Sequence, residues 1–151
     1  MNLPHEQVAA MNNRSMPSAV VIPILAYPDI RAAVDWLCRA FGFVERLRIG
    51  DHRAQLSFGT GAIVVAQRRD HAGVPSSEGL DYSVTVRVRD VDQHFEQALR
   101  AGAIIVNAPT DQPYGERQYS AQDIGGYSWT FSETIADVDP EAWGGELFEQ
   151  D

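Results

Sequence analysis

DQPYGERQYSAQDIGGYSWTFSE, residues 111–133, is the stretch around which this chain is organised. Two extended pieces, residues 117–122 and 127–132, flank Asp123-Ile124-Gly125-Gly126. Asp bonds its own backbone and Gly accepts positive φ, so the tetrapeptide reads as a turn. The second piece sets Tyr127, Trp129 and Phe131 against Ser128, Thr130 and Ser132, an aromatic face backed by hydroxyls. Two arrangements fit that alternation. The strand belongs to a sheet with helices behind and a lined cavity in front, or to an ordinary hairpin with one solvated face.

Outward from this stretch, 151 residues with 44% apolar and 22% charged side chains suit one globular domain. A formal charge of −9 excludes nucleic acid and anionic membranes as expected partners. An acidic surface suits a cationic ligand, or plain solubility. Cys38 is the one cysteine, so there is neither a disulfide framework nor a cysteine metal cluster. It falls on the apolar side of a predicted helix and reads as a buried, inert thiol. No apolar run reaches membrane-spanning length, and residues 1–18 lack a signal peptide's apolar core. A cytoplasmic protein is expected, and either Met1 or Met16 serves as the start.

Residues 1–18 read as a flexible arm, and residues 19–133 as the domain. AVVIPILA (residues 19–26) is a β-branched run that predicts a well-buried strand. Pro23 removes a ladder donor and places that strand at an edge or a subunit crossing. Asp29 is an N-cap, Ile30, Ala33, Val34, Leu37, Cys38 and Phe41 form a helical stripe, and Gly42 stops it. Strands follow at residues 43–49, 53–58 and 62–67. A polar linker (residues 68–80) separates this module, 19–67, from a second, 81–133. There the order recurs: strand 81–88, cap Asp90, inward Val91, Phe95, Ala98 and Leu99, stop Gly102, strand 103–106 and the hairpin. Superposing Asp29 on Asp90 and Gly42 on Gly102 makes the chain a divergent tandem repeat of strand–helix–strand–strand–strand. Residues 134–151 form an acidic tail that carries Trp143, Leu147 and Phe148 and packs loosely on the domain or its partner, or else is disordered.

The order Gln112-Pro113-Tyr114-Gly115, then Arg117-Gln118-Tyr119, then a strand into Asp123-x-x-Gly126-Tyr127 resembles the bleomycin-resistance proteins. The opening VIPILAYPDIRAAVDWLCRAFGF (residues 21–43) resembles theirs as well. Those proteins belong to the vicinal oxygen chelate superfamily, with the glyoxalases and extradiol dioxygenases. The resemblance implies an α+β fold of tandem βαβββ modules whose sheets curl around a cleft, in a homodimer. Superfamily enzymes hold a metal at four strand positions, usually His, Glu, His and Glu. By resemblance these fall on Ile22, Val65, Ser83 and Thr130, with Gln67 as a shifted alternative to Val65. None is a customary ligand of a divalent ion, so no metal or other cofactor is expected. His5, His52, His71 and His94 read as surface residues.

Strand parity puts Ser83, Thr85, Arg87, Gln118, Ser120, Gln122, Ser128 and Thr130 on the wall facing a cavity. Val84, Val86, Val88, Tyr119, Trp129 and Phe131 then pack under the helices. The resemblance makes Tyr114 the aromatic that stacks on a ligand. The candidate ligand-binding set is therefore Tyr114, Arg87, Ser83, Thr85, Gln118, Ser120, Thr130 and Gln67, with no catalytic residue singled out. Arg87 stands where the resistance proteins carry a second stacking Trp, and Arg46 near where they carry an acid. Arg87 either pairs with Glu45, Glu116 or Glu133, or receives an anionic group. The expected function is metal-free binding that sequesters a drug or metabolite. The alternatives are an isomerase, lyase or dioxygenase-like enzyme with a non-standard site, and a structural dimer without ligand.

Overall fold

Both helices begin where a carboxylate meets free backbone amides. Asp29 accepts from Ala32 N at 3.1 Å and Asp90 from Gln93 N at 3.1 Å. The computed structural model describes residues 13–68 and 83–147. Two compact units divide the chain, residues 1–74 and 75–151. The first contains β1 (Ile24–Tyr27), α1 (Ile30–Phe41), β2 (Val44–Ile49), β3 (Arg53–Phe58) and β4 (Gly61–Gln67). The second contains β5 (Val84–Arg87), α2 (Val91–Arg100), β6 (Ile104–Asp111), β7 (Glu116–Gln122) and β8 (Ser128–Thr134). A 3-10 turn, Pro140–Trp143, follows.

Each unit is one βαβββ module, and the fold is α+β. The sheet orders are β1-β4-β3-β2 and β5-β8-β7-β6. In each, the first strand runs parallel to the last and the other pairs are antiparallel. Both sheets are open, with the helix crossing over one face.

The cores are built by strand alternation. In the first unit Leu25, Tyr27, Ala54, Leu56, Ile63 and Val65 are buried with Ala33, Leu37 and Phe41 of α1. In the second, Tyr119, Trp129 and Phe131 are fully buried, each worth about 2–3 kcal/mol of apolar burial. Phe95 meets Tyr119 edge-on at 5.4 Å. Trp36, at the margin of the stripe by spacing, is buried against Phe41 with rings 4.9 Å apart.

Several expectations need correction. The first strand covers only Ile24–Tyr27, and Val20 and Val21 are exposed. Pro23 has no amide hydrogen to continue the ladder, and β1 is an edge with β4 as its neighbour. β6 runs on to Asp111 because register shifts at Ile105/Asn107 and Asn107/Thr110 accommodate Pro109 in an edge strand. Leu99 is exposed, not inward.

His94 is no free surface residue. Its ring lies 4.2 Å from that of Phe131, and Nδ1 is 2.5 Å from Tyr119 Oη. Burial pushes the Tyr119 phenol up, so it stays protonated. Of the arm, residues 13–18 make defined contacts: Ser15 O accepts from Gln55 Nε2 at 2.8 Å, and Pro17 is buried. The rest of the arm, the linker beyond Arg68, the start of the second module at Asp81 and the last residues of the tail lie outside the described residues.

Candidate functional site

The turn at residues 123–126 is held from inside. Asp123 is buried; its Oδ1 accepts from Gly125 N at 2.8 Å and Tyr127 N at 3.0 Å, and its Oδ2 from Trp129 Nε1 at 2.9 Å. Gly126 takes φ 86°, which a side chain would strain. This locks the phase of β8, turning Trp129 and Phe131 toward α2 and Ser128, Thr130, Ser132 and Thr134 to the opposite, open face.

Register then assembles rows across that face. Thr85, Thr130 and Ser120 align, and so do Arg87, Ser132 and Gln118. Ser120 Oγ and Thr130 Oγ1 are 2.9 Å apart. Tyr114 Oη donates to Gln118 Oε1 at 2.9 Å, and Gln118 Nε2 donates to Ser132 Oγ at 3.1 Å. Ser132 Oγ in turn donates to Glu116 Oε1 at 2.6 Å. Burial pushes the Glu116 carboxyl up, but the Ser132 and Thr134 hydroxyls and the Arg87 charge outweigh it and leave it below its ordinary value. Six of the eight candidates, Thr85, Arg87, Tyr114, Gln118, Ser120 and Thr130, therefore belong to one face or its margin, and Ser83 immediately precedes β5.

Arg87 donates to Thr134 Oγ1. None of its three candidate acids forms an ion pair with it among the described residues. Glu45 holds Arg31 at 3.0 Å and Arg48 at 2.9 Å, and Glu133 accepts from Val91 N at 2.9 Å. Glu116 is engaged by the hydroxyls and feels Arg87 only through its charge. Arg46 is partnered within the first unit, by Gln55 Oε1 and by Arg14 O at 3.0 Å.

Gln67 leaves the set. Its Oε1 accepts from Ile30 N at 3.2 Å and its Nε2 donates to Pro28 O at 2.5 Å, so it closes the start of α1. The second metal position moves as well. Ile24 pairs with Val64, as Thr85 pairs with Thr130, so the counterpart of Thr130 is Val64; Val65 points into the core. Ala62–Ala66 is apolar on both faces, so alternation carries no phase there and only pairing sets it.

Spacing missed Trp143. The chain after β8 folds back on the β6–β7 turn, Ile135 N and Ala136 N donating to Gly115 O at 2.9 and 3.2 Å. The 3-10 turn then sets the Trp143 ring 5.2 Å from that of Tyr114, tilted by 53°. The apolar residues of the tail pointed to packing on the domain or its partner, but without periodicity they did not place Trp143 against Tyr114. Cys38 is half-buried, and burial pushes its thiol up, away from thiolate chemistry.

Comparison with known proteins identifies the family. Residues 19–131 match the model of the Glyoxalase/Bleomycin resistance protein/Dioxygenase superfamily. The chain belongs to that superfamily. TioX from Micromonospora sp. ML1 is 38% identical, with 76% of this chain and 98% of that one covered at a TM-score of 0.63. A superfamily enzyme from Burkholderia phytofirmans PsJN shares the fold at 20% identity, with 76% and 97% covered and a TM-score of 0.64. An uncharacterized Mycobacterium tuberculosis protein is 28% identical over 127 residues, 77% of this chain and 75% of its own.

The metal used by superfamily enzymes does not fit the residues present. Ile22, Val64, Ser83 and Thr130 offer two apolar side chains and two neutral hydroxyls. Among the described residues no three His, Cys, Asp or Glu side chains converge.

No helix among the described residues is long and apolar enough to cross a membrane.

Proposed function

We propose that this superfamily member is a metal-free cytoplasmic homodimer that binds a small molecule carrying an anionic group and a planar or apolar body. It sequesters that molecule, drug or metabolite, without converting it. One observation carries the reading: Arg87 lies on the open hydroxyl face while Glu45, Glu116 and Glu133 are each engaged elsewhere. An exposed guanidinium with one hydroxyl partner among the described residues keeps donors for a carboxylate or phosphate. Gln118, Ser120 and Thr130 add polar contacts, and Tyr114 supplies an aromatic surface.

Calorimetry with 2-naphthoate tests it. The parent should bind, and Arg87→Met, which keeps the stem and removes the charge, should weaken binding by roughly ten- to a hundredfold. The amine analogue, 2-naphthylmethylamine, should bind the variant at least as well as the parent. Tight binding of bleomycin-like cations with no response to 2-naphthoate would overturn the anionic preference.

A further inference from the structure

Tyr114 already has a planar partner, supplied by its own chain. Gly115 O anchors the tail through Ile135 N and Ala136 N. Asp139 Oδ1 caps the 3-10 turn by accepting from Glu141 N at 3.1 Å, and Gly144 ends it at φ 97°. These contacts determine where the Trp143 indole sits, beside the Tyr114 ring. With centroids 5.2 Å apart and tilted, the two rings leave no room for a third between them. A parallel sandwich needs about 7 Å between its outer rings, twice the contact distance of stacked carbons.

We infer that Trp143 is a tethered competitor for the aromatic surface of Tyr114, which a planar ligand must displace in order to bind. The inference rests on the anion-and-ring reading of this face. Three features support displacement over a fixed wall. Trp143 is 47% exposed, unlike Trp36 and Trp129, which are buried. The 3-10 turn that carries it has no buried residue. The anchor at Gly115, which also packs against Val138, precedes the turn, so residues 139–143 can swing away while Ile135 and Ala136 stay bonded. A short tether holds a competing group at an effective concentration on the order of millimolar, so the contact selects for ligands that stack better than indole.

Two measurements on the full chain test it. In calorimetry, Trp143→Ala should bind 2-naphthoate roughly two- to tenfold more tightly than the parent, the range a tilted aromatic pair provides. With 5-fluorotryptophan incorporated, and Trp143→Phe used to assign the signal, the Trp143 fluorine resonance should move to its solvent position as 2-naphthoate is added. The Trp36 and Trp129 resonances should stay in place. Weaker or unchanged binding by Trp143→Ala, or a Trp143 resonance that moves away from the solvent value, would overturn the displacement while leaving the ligand class intact. No binding by either protein would overturn the reading of Arg87, and this inference with it.

Discussion

Gln67 and Glu133 do the same work in the two modules. Each lies near the end of the last strand, and each gives a side-chain oxygen to the first amide of its helix, Ile30 N at 3.2 Å and Val91 N at 2.9 Å. The repeat therefore extends to a helix-closing contact between residues far apart in sequence. A neutral amide suffices in the first module, so Glu133→Gln should be tolerated in the second. Glu133→Ala should lower stability by about 1 kcal/mol, the scale of a lost helix cap. Urea unfolding of both variants checks this, and equal losses would show that the charge, not the cap, matters.

Asp123 holds two backbone amides and the Trp129 indole from a buried position. Asp123→Ala leaves those donors without the carboxylate and should destabilise the protein by about 3 kcal/mol or more. A loss below about 1 kcal/mol in chemical denaturation would mean that water replaces the carboxylate in the turn.

Gly115 sits at φ 85°, and a Cβ there would lie 2.3 Å from Ala136 O. Gly115→Ala combines left-handed strain of about 1–2 kcal/mol with a clash against the returning tail. Its thermal midpoint should fall and its tryptophan emission should shift to the red as Trp143 leaves Tyr114. Unchanged emission would show that the tail is held by other contacts.

Glu45 supplies an acid-sensitive contact. Hydrogen bonds from Arg48 and Arg31 outweigh its burial and hold its carboxyl at about 2, against an ordinary 4.5. A depressed carboxylate pKa stabilises the fold above the ordinary value and loses that contribution as pH falls toward 2. The pairs are partly exposed, so Glu45→Gln should cost at most about 1 kcal/mol near neutrality. The difference between parent and variant should shrink as pH falls below 4.5. A gap that persists at pH 2 would assign the effect to packing.

Val44 on the edge strand β2 and Ile104 and Val106 on the edge strand β6 are exposed by 65%, 61% and 54%. Exposed apolar edges invite pairing with another chain, consistent with the proposed homodimer. Sedimentation at micromolar concentration should show twice the chain mass, and a monomer alone would contradict it.

Features that depend on near neighbours are written in the chain itself. Asp29 and Asp90 are caps because a carboxylate reaches an amide three residues on. Gly42 ends α1 in the left-handed region, and Asp123 bends the chain through its own backbone. Tyr127–Ser132 declares its two faces through strict alternation, so most of the candidate face was legible. Features that depend on pairing emerge only when the strands and helices meet. Register, not composition, put Val64 rather than Val65 on the sheet face away from the core of Ile63 and Val65, in a segment that is apolar on both sides. It also carried Gln67 to α1 and drew His94 against Tyr119 and Phe131. Trp143 has no periodic neighbours to announce it. Its place beside Tyr114 comes from the Gly115 carbonyl accepting two amides some twenty positions further along the chain, and from the capped 3-10 turn that follows.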